Sequence, residues 1–111
     1  GRDEVRLYGI DVSNADLQLI QQEGSSWKYT AAVDPALIGA VDMRILAKKI
    51  AGEETPQTFA LDASLISQEE LSTSSAAVNM ENLSEVVDGW GVSTDFEEEW
   101  MKTLKEYYAK N

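Results

Sequence analysis

The sequence contains no cysteine, no histidine and few basic residues. Without cysteine the chain can form no disulfide, no catalytic thiolate and no thiolate metal site. Without histidine it lacks the residue that proteins use most for general acid–base catalysis and for zinc. No apolar run approaches the roughly 18 residues that predict a membrane-spanning helix. We therefore expect no catalysis of the triad type and predict neither a metal nor a cofactor.

The charge of the chain is strongly one-sided. The sequence has nine Lys and Arg residues and twenty Asp and Glu residues, which gives a net charge of -11. Such a surface repels phosphate backbones and anionic lipid heads, so nucleic acid is not an expected partner. The length of 111 residues and the hydrophobic content of 43% are those of one globular domain or less. Because the chain opens directly into a strand-like run near Val5, we expect it to be a piece of a longer one.

The first third of the sequence predicts a strand, a helix and a second strand. Residues 5–10 are rich in β-forming residues, and Asp11 ends this run. Ser13 is a plausible N-cap for a helix that closes at Gly24. Residues 27–33 are aromatic and β-branched, which is typical of a strand.

The dipeptide Asp34-Pro35 marks the start of a longer helix. Aspartate is a favoured N-cap and proline is tolerated at the first helical position. The helix is expected to end where Lys48 and Lys49 precede Gly52.

A third strand, or two short ones, is predicted within residues 58–66. The order β-α-β-α-β favours an α/β protein with right-handed crossovers. Composition then changes, so we divide the chain into an α/β portion, residues 1–71, and a linker with a C-terminal helical extension, residues 72–111. Residues 72–77 resemble a flexible connection.

The extension carries two patterns that could be mistaken for sites. Consecutive glutamates at 97–99 point in different directions on a helix, so they predict a solvated face rather than a metal site. A helix opening at Thr94 with a capping-box spacing would carry an aromatic stripe, for which packing is favoured over ligand binding. The stripe consists of Phe96, Trp100, Leu104 and Tyr108.

Asp11 is the candidate binding residue that the pattern singles out. It follows a strand, and open α/β sheets bind ligands at the carboxyl ends of their strands. An ionised carboxylate is a strong acceptor for a hydroxyl-rich ligand. A short polar residue in this position can equally cap the following turn, and the spacing leaves both roles open.

Three stretches together resemble a known family. They are Tyr8-Gly9-Ile10-Asp11, the helix of residues 15–24, and the strand and helix start of residues 29–39. Their order and spacing resemble the last third of the sugar-binding type I periplasmic binding proteins, the ribose- and galactose-binding family. The resemblance continues through Gly52 and Pro56, and it covers roughly residues 5–70.

The resemblance implies a function and a fold. The chain would be a β-α-β-α-β fragment of a two-lobe periplasmic-binding-protein-like fold with a C-terminal helical tail. It would belong to the solute-binding component of an ABC transporter, which binds a sugar-like solute between its lobes without chemistry. Its partners would be that solute and a membrane permease. Its location would be periplasmic or extracellular, with a membrane anchor in a preceding N-terminal segment as an option.

The resemblance also implies ligand-binding residues. The family's cleft-facing aspartate matches Asp11. A second polar residue, usually Asn or Gln, lies near the end of the next strand, where this chain has Val33 followed by Asp34. Either Asp34 substitutes through a shift of one residue, or the solute is less polar on that side. Trp27 and Tyr29 could stack on a sugar, although packing is the favoured use of both.

The family topology predicts how the chain is divided between lobes. The segment would begin in the second lobe, cross into the first near residues 33–35, and cross back near the last strand. Its apolar helix faces would then lack partners, so we expect self-association of the fragment.

Two other classes of protein compete with this interpretation. The ligand-binding core of a lactose-repressor-type transcription regulator has the same fold, and an upstream helix-turn-helix would identify it. A small flavodoxin-like or receiver-type enzyme needs several acidic residues at strand ends, and only Asp11 qualifies.

Overall fold

The computed structural model describes residues 4–110. The mixed α/β class predicted from the sequence is confirmed, and within this range three strands and four α-helices are present. In chain order the elements are β1 (Leu7–Ile10), α1 (Asn14–Gln21), β2 (Trp27–Ala32), α2 (Pro35–Ile50), β3 (Ser64–Ser67), α3 (Gln68–Leu71), a short 3-10 helix (Leu83–Glu85) and α4 (Glu99–Ala109).

The chain forms two compact units. Unit 1 comprises the residues up to Asp34 together with Leu61–Gly91, and unit 2 comprises Pro35–Ala60 together with the residues from Val92 onward. The chain crosses between the two units after Asp34, after Ala60 and after Gly91. The first two crossings lie near the positions that the family topology predicts, and the third was not predicted. The boundary drawn after residue 71 lies inside unit 1, and as a division of the complete protein it stays a prediction.

The three strands form one sheet in the order β1-β2-β3. Strands β1 and β2 are parallel, with Gly9 opposite Thr30. Strand β3 is antiparallel to β2, with Ala32 opposite Ser64, so the predicted crossover between parallel strands is wrong for β3. The reason is the chain path: the chain leaves unit 1 just after β2 and returns at Leu61, just before β3, so β3 starts at the edge where β2 ends.

Local sequence signals position α1 as predicted. The hydroxyl of Ser13 accepts a hydrogen bond from the backbone N–H of Asp16, which caps the helix. Leu17 and Ile20 lie on the inner face and are fully buried. Gly24 adopts a positive φ of 76°, which a residue without Cβ accepts at low cost.

The core of unit 1 lies on one face of the sheet. Thr30 and Ala32 of β2 and Ile66 of β3 point into it and are buried. The segment after α3, which composition assigns to an extension, supplies a large part of this core. The buried core side chains are Val12, Leu17, Ile20, Ala32, Ile66, Leu71, Val78, Leu83, Val87 and Trp90.

The segment that follows α3 is held against α1 by one side chain. The amide nitrogen of Gln21 donates to the carbonyl oxygens of Leu71 (3.2 Å), Ser74 (3.4 Å) and Ala76 (2.9 Å). Its amide oxygen accepts from the backbone N–H of Val78 at 3.0 Å. The stretch of residues 72–77, in which the sequence suggests a flexible connection, is therefore bonded to Gln21 at Ser74 and Ala76 and at the residue on either side.

Unit 2 is built on α2, of which only Val41 is buried. Near the end of this helix, the guanidinium of Arg44 donates to the backbone carbonyls of Ser93 (3.0 Å) and Asp95 (3.2 Å). One turn later Lys48 pairs with a glutamate from the same segment, as described below. The polar side of α2 therefore fixes the chain that leads into α4.

The tail helix differs from its prediction. Helix α4 begins at Glu99 rather than at Thr94, and no side chain caps it. Phe96 lies before the helix with a positive φ of 57°, and its ring packs edge-on against Phe59 with 4.8 Å between centroids. No residue of α4 is buried, and Trp100 is 37% exposed. The predicted continuous packing stripe is therefore wrong, because the turn at Phe96 takes that ring out of the helical repeat.

Candidate functional site

The two candidate binding residues lie at one edge of the sheet of unit 1. Because β1 and β2 are parallel, their carboxyl ends meet at the same edge. Asp11 directly follows β1, and Asp34 follows β2 by two residues. The structure thus brings to one edge the two residues that the sequence analysis selected, and their role in binding stays a prediction.

The backbone of Asp11 is fastened to β2. Its N–H donates to the carbonyl of Ala31 at 2.7 Å, which extends the parallel ladder by one bond. Its own carbonyl accepts a 2.6 Å hydrogen bond from the hydroxyl of Thr30. Thr30 is fully buried and is the one buried polar residue within residues 4–110. No sequence signal marks Thr30 for this role, since a threonine in a strand is an ordinary β-forming residue.

Asp11 has an uncommon conformation. Its φ is +78°, in the left-handed region, which aspartate tolerates better than most residues with a Cβ. This conformation turns the chain out of β1 while the carboxylate stays exposed. Backbone strain of this kind collects at functional sites, where the surrounding structure maintains it.

Only one oxygen of the Asp11 carboxylate is hydrogen-bonded within the turn. Oδ1 accepts from the backbone N–H of Val12 at 2.9 Å. The second oxygen makes no hydrogen bond with any residue in the described range, and Asp11 as a whole is exposed. The geometry therefore allows both roles that the spacing left open: Oδ1 caps the turn, and Oδ2 can accept from a ligand.

Asp34 is half-buried, and so is Val33 before it. The Asp34 carboxylate lies beside Gly91, the last residue of unit 1. A carboxylate therefore stands next to the position at which the family pattern has an amide.

The aromatic residues of β2 are used in packing. The indole of Trp27 lies over Gly9, packs against the core, and donates to the carbonyl of Tyr29 at 3.0 Å. The ring of Tyr29 stacks on Tyr8 on the opposite face of the sheet, with centroids 5.7 Å apart. Both rings are thus engaged within unit 1.

A pocket of about 440 Å³ opens at the other edge of the sheet, near the amino ends of β1 and β2. Its polar groups hold the fold together: the ammonium of Lys28 donates to the carbonyl of Ser25 (2.6 Å) and to the amide oxygen of Gln68 (2.7 Å). Neither Asp11 nor Asp34 lines it, so it is separate from the candidate site.

The ionisable groups of unit 2 form ion pairs. Lys48 pairs with Glu98 and with Glu53, the latter at 3.1 Å. Hydrogen bonds first to Glu98 and then to Glu53 raise the pKa of Lys48 above its ordinary value of 10.5. Glu99 pairs with Lys102 instead, so Glu98 and Glu99 bind different lysines. Within residues 4–110, no cluster of three or more acidic side chains could hold a metal ion.

The candidate site thus contains one exposed and one half-buried carboxylate. Within the same range, no helix combines the length and the apolar character required to cross a membrane.

The solved structures that this chain is similar to include two transport proteins. One is a sugar ABC transporter protein from Yersinia enterocolitica, with 50% sequence identity and a TM-score of 0.83 over 96% of this chain. The other is the 5-methylthioribose transporter solute binding protein from Thermotoga lettingae, solved with 5-methylthioribose, with 28% identity and a TM-score of 0.75 over 88% of this chain. No family model and no curated protein matches the chain.

The chain spans about a third of the length of these solved proteins, 32% and 31% respectively. Both are transport proteins, which favours the predicted solute-binding interpretation over the repressor core. The predicted resemblance and the predicted α/β fold class are confirmed. The chain thus has the sequence pattern and the fold of one part of a sugar ABC transporter solute-binding protein of the periplasmic-binding-protein type.

Proposed function

We propose that this chain supplies part of the sugar-binding cleft of an ABC transporter's solute-binding protein, and that it binds its solute without chemical reaction. The observation that carries the proposal is the geometry of Asp11, whose exposed carboxylate ends a strand of the sheet in a strained, anchored conformation. The similarity to a protein solved with 5-methylthioribose supports a sugar-like ligand.

Asp11 is suited to accept hydrogen bonds from sugar hydroxyls. Its backbone is held by Ala31 and Thr30, so the carboxylate is presented with little freedom to lose on binding. An ionised acceptor bonds a hydroxyl more strongly than a neutral one does. Asp34, at the end of the neighbouring strand, is the proposed second acceptor.

A non-enzymatic role fits the chemistry of the chain. No histidine or cysteine is available anywhere in the sequence, and the two candidate residues are carboxylates, which act as acceptors when ionised. Selection of a solute by hydrogen bonds to fixed acceptors needs no titrating group at neutral pH.

The transport role implies a permease as the macromolecular partner and a periplasmic or extracellular location. An anchor preceding residue 1 would hold such a protein at the membrane surface. The net charge of -11 argues against attachment through anionic lipids, so the permease itself is the proposed docking partner.

The test is calorimetric titration of variants of the complete polypeptide that carries these residues, with D-ribose and 5-methylthioribose as probes. Asp11→Gly removes the carboxylate, and glycine adopts the positive φ without strain. A change in affinity is then not caused by a strained backbone. A lost charged hydrogen bond corresponds to roughly 10- to 150-fold weaker binding. Asp11→Asn keeps the shape and should weaken binding less.

Glu23→Ala is the matched control, since it removes an exposed carboxylate from unit 1 beyond the far end of α1. If Asp11→Gly lowers stability but leaves both affinities at the Glu23→Ala level, Asp11 only caps its turn and the ligand role is lost. If neither sugar binds the unchanged protein, the sugar assignment itself is wrong.

Self-association of the isolated 111-residue chain is a further part of the proposal. The face of the sheet opposite the core exposes Tyr8, Ile10 and Leu65, and Ile10 is 90% exposed. Sedimentation of the 111-residue chain should show a concentration-dependent dimer or larger species that Ile10→Lys weakens. A folded monomer at every concentration would contradict self-association.

A further inference from the structure

A close approach within unit 1 connects Asp34 with the last residue of that unit. A Cβ built on Gly91 would lie 2.6 Å from Oδ2 of Asp34 and 3.7 Å from its Cγ. Real Cβ atoms essentially never come within 3.0 Å of another heavy atom in this way. The Asp34 carboxylate therefore occupies space that is open only because residue 91 has no side chain.

The backbone around Gly91 is held in place. Trp90, directly before it, is buried in the core of unit 1 and is only 3% exposed. Gly91 itself has a positive φ of 73°, a conformation that glycine adopts without strain. Because the atom nearest to a Cβ at position 91 is the end of the short Asp34 side chain, the relief that costs least is rotation of that side chain.

We propose that Gly91 is a positioning residue for Asp34. Because Gly91 has no Cβ, it leaves open the space in which the Asp34 carboxylate lies at the candidate binding edge. The inference rests on the proposed function, because it gives Asp34 a role in accepting hydrogen bonds from the solute. Gly91 lies 57 positions along the chain from Asp34, and nothing in the sequence pattern connects the two.

Gly89 provides a matched control. It has nearly the same backbone conformation, with φ of 77°, but a Cβ built there has no heavy atom within 4 Å. Gly89→Ala therefore carries the strain of a positive φ without a clash. The difference between Gly91→Ala and Gly89→Ala isolates the contact with Asp34.

The experiment measures the affinity of the complete polypeptide for D-ribose and 5-methylthioribose by calorimetry, in four variants. These are Gly89→Ala, Gly91→Ala, Asp34→Ala and the double variant Asp34→Ala/Gly91→Ala. Displacing the Asp34 carboxylate should weaken binding about tenfold more in Gly91→Ala than in Gly89→Ala. The double variant should bind as weakly as Asp34→Ala alone, since the group that Gly91 positions is already absent.

Two results would overturn the inference: equal affinities of the two glycine variants, or a full additional loss in the double variant. Thermal unfolding separates this inference from the proposed function. If Asp34→Ala leaves the affinity unchanged, the ligand role of Asp34 fails. The positioning contact then stands only if two results are found. Gly91→Ala must lower Tm more than Gly89→Ala, and this excess must disappear when Asp34→Ala is combined with Gly91→Ala. If the excess persists without the Asp34 carboxylate, the contact fails as well.

Discussion

The hydroxyl of buried Thr30 donates a 2.6 Å hydrogen bond to the backbone carbonyl of Asp11 across the parallel strands β1 and β2. The bond joins the core of unit 1 to the residue on which the proposed function depends. A side chain in the core therefore helps to hold the backbone of a residue at the candidate site.

Replacing this threonine tests the connection. Thr30→Val keeps the shape and removes the hydroxyl, so we expect a loss of about 1 kcal/mol in the free energy of unfolding. If Asp11 binds the solute, affinity should fall as well, because the turn that presents its carboxylate is loosened. Denaturant titration and calorimetry measure the two effects. Thr30→Ser retains the hydroxyl and is the control for affinity; equal affinities of the Val and Ser variants would contradict the connection.

Gln21 should stabilise unit 1 more than its partly exposed position suggests. Its side-chain amide bonds three carbonyls and one N–H of the segment that follows α3. Gln21→Ala should lower the free energy of unfolding by about 1–3 kcal/mol, since several backbone groups lose their partner together. The neighbouring Gln22→Ala, at an exposed position, should change it by less than about 0.5 kcal/mol. Equal effects of the two changes would show that water replaces the Gln21 contacts.

Trp100 should contribute less to stability than a buried tryptophan. A fully buried ring would be expected to cost ~3–5 kcal/mol on replacement by alanine. Because Trp100 is 37% exposed and α4 has no buried residue, we expect about 1–2 kcal/mol for Trp100→Ala. Phe96→Ala, which removes the edge-on contact with Phe59, is an informative comparison. A loss of more than about 3 kcal/mol for Trp100→Ala would show that the tail packs far more tightly than described.

The ion pairs of Lys48 predict a dependence of stability on alkaline pH. The folded-state pKa is raised by Glu98 and then by Glu53, so the stabilisation is fully present below the ordinary pKa of 10.5. It is lost as pH rises through the folded-state value. Chemical unfolding of the wild type and of Lys48→Met between pH 8 and 11.5 should show curves that converge above about pH 10.5. A constant gap between the curves would mean that the difference does not come from the ammonium charge. No gap at any pH would mean that Lys48 contributes through its aliphatic stem, which Met largely retains.

Several elements were predictable because their signals are local. Ser13 caps α1 through the backbone three residues away, and Gly24 takes a positive φ in the turn between α1, which ends at Gln21, and β2. The parallel pair β1 and β2 follows from one strand–helix–strand unit. Asp11 could be selected because it follows a strand. Asp34 could be selected only through the resemblance, which implies a polar residue near the end of the next strand.

The sequence by itself determined the nature of the elements, the acceptor chemistry of the candidate edge and the family resemblance. The tertiary structure alone decided that β3 is antiparallel, that residues 78–90 complete the core, and that Gly91 stands against Asp34. These features join residues far apart in the chain, and their free energy comes from burial and exclusion of volume rather than from any local pattern. Periodicity reports which side of an element is apolar, but it carries no information on which distant segment covers that side.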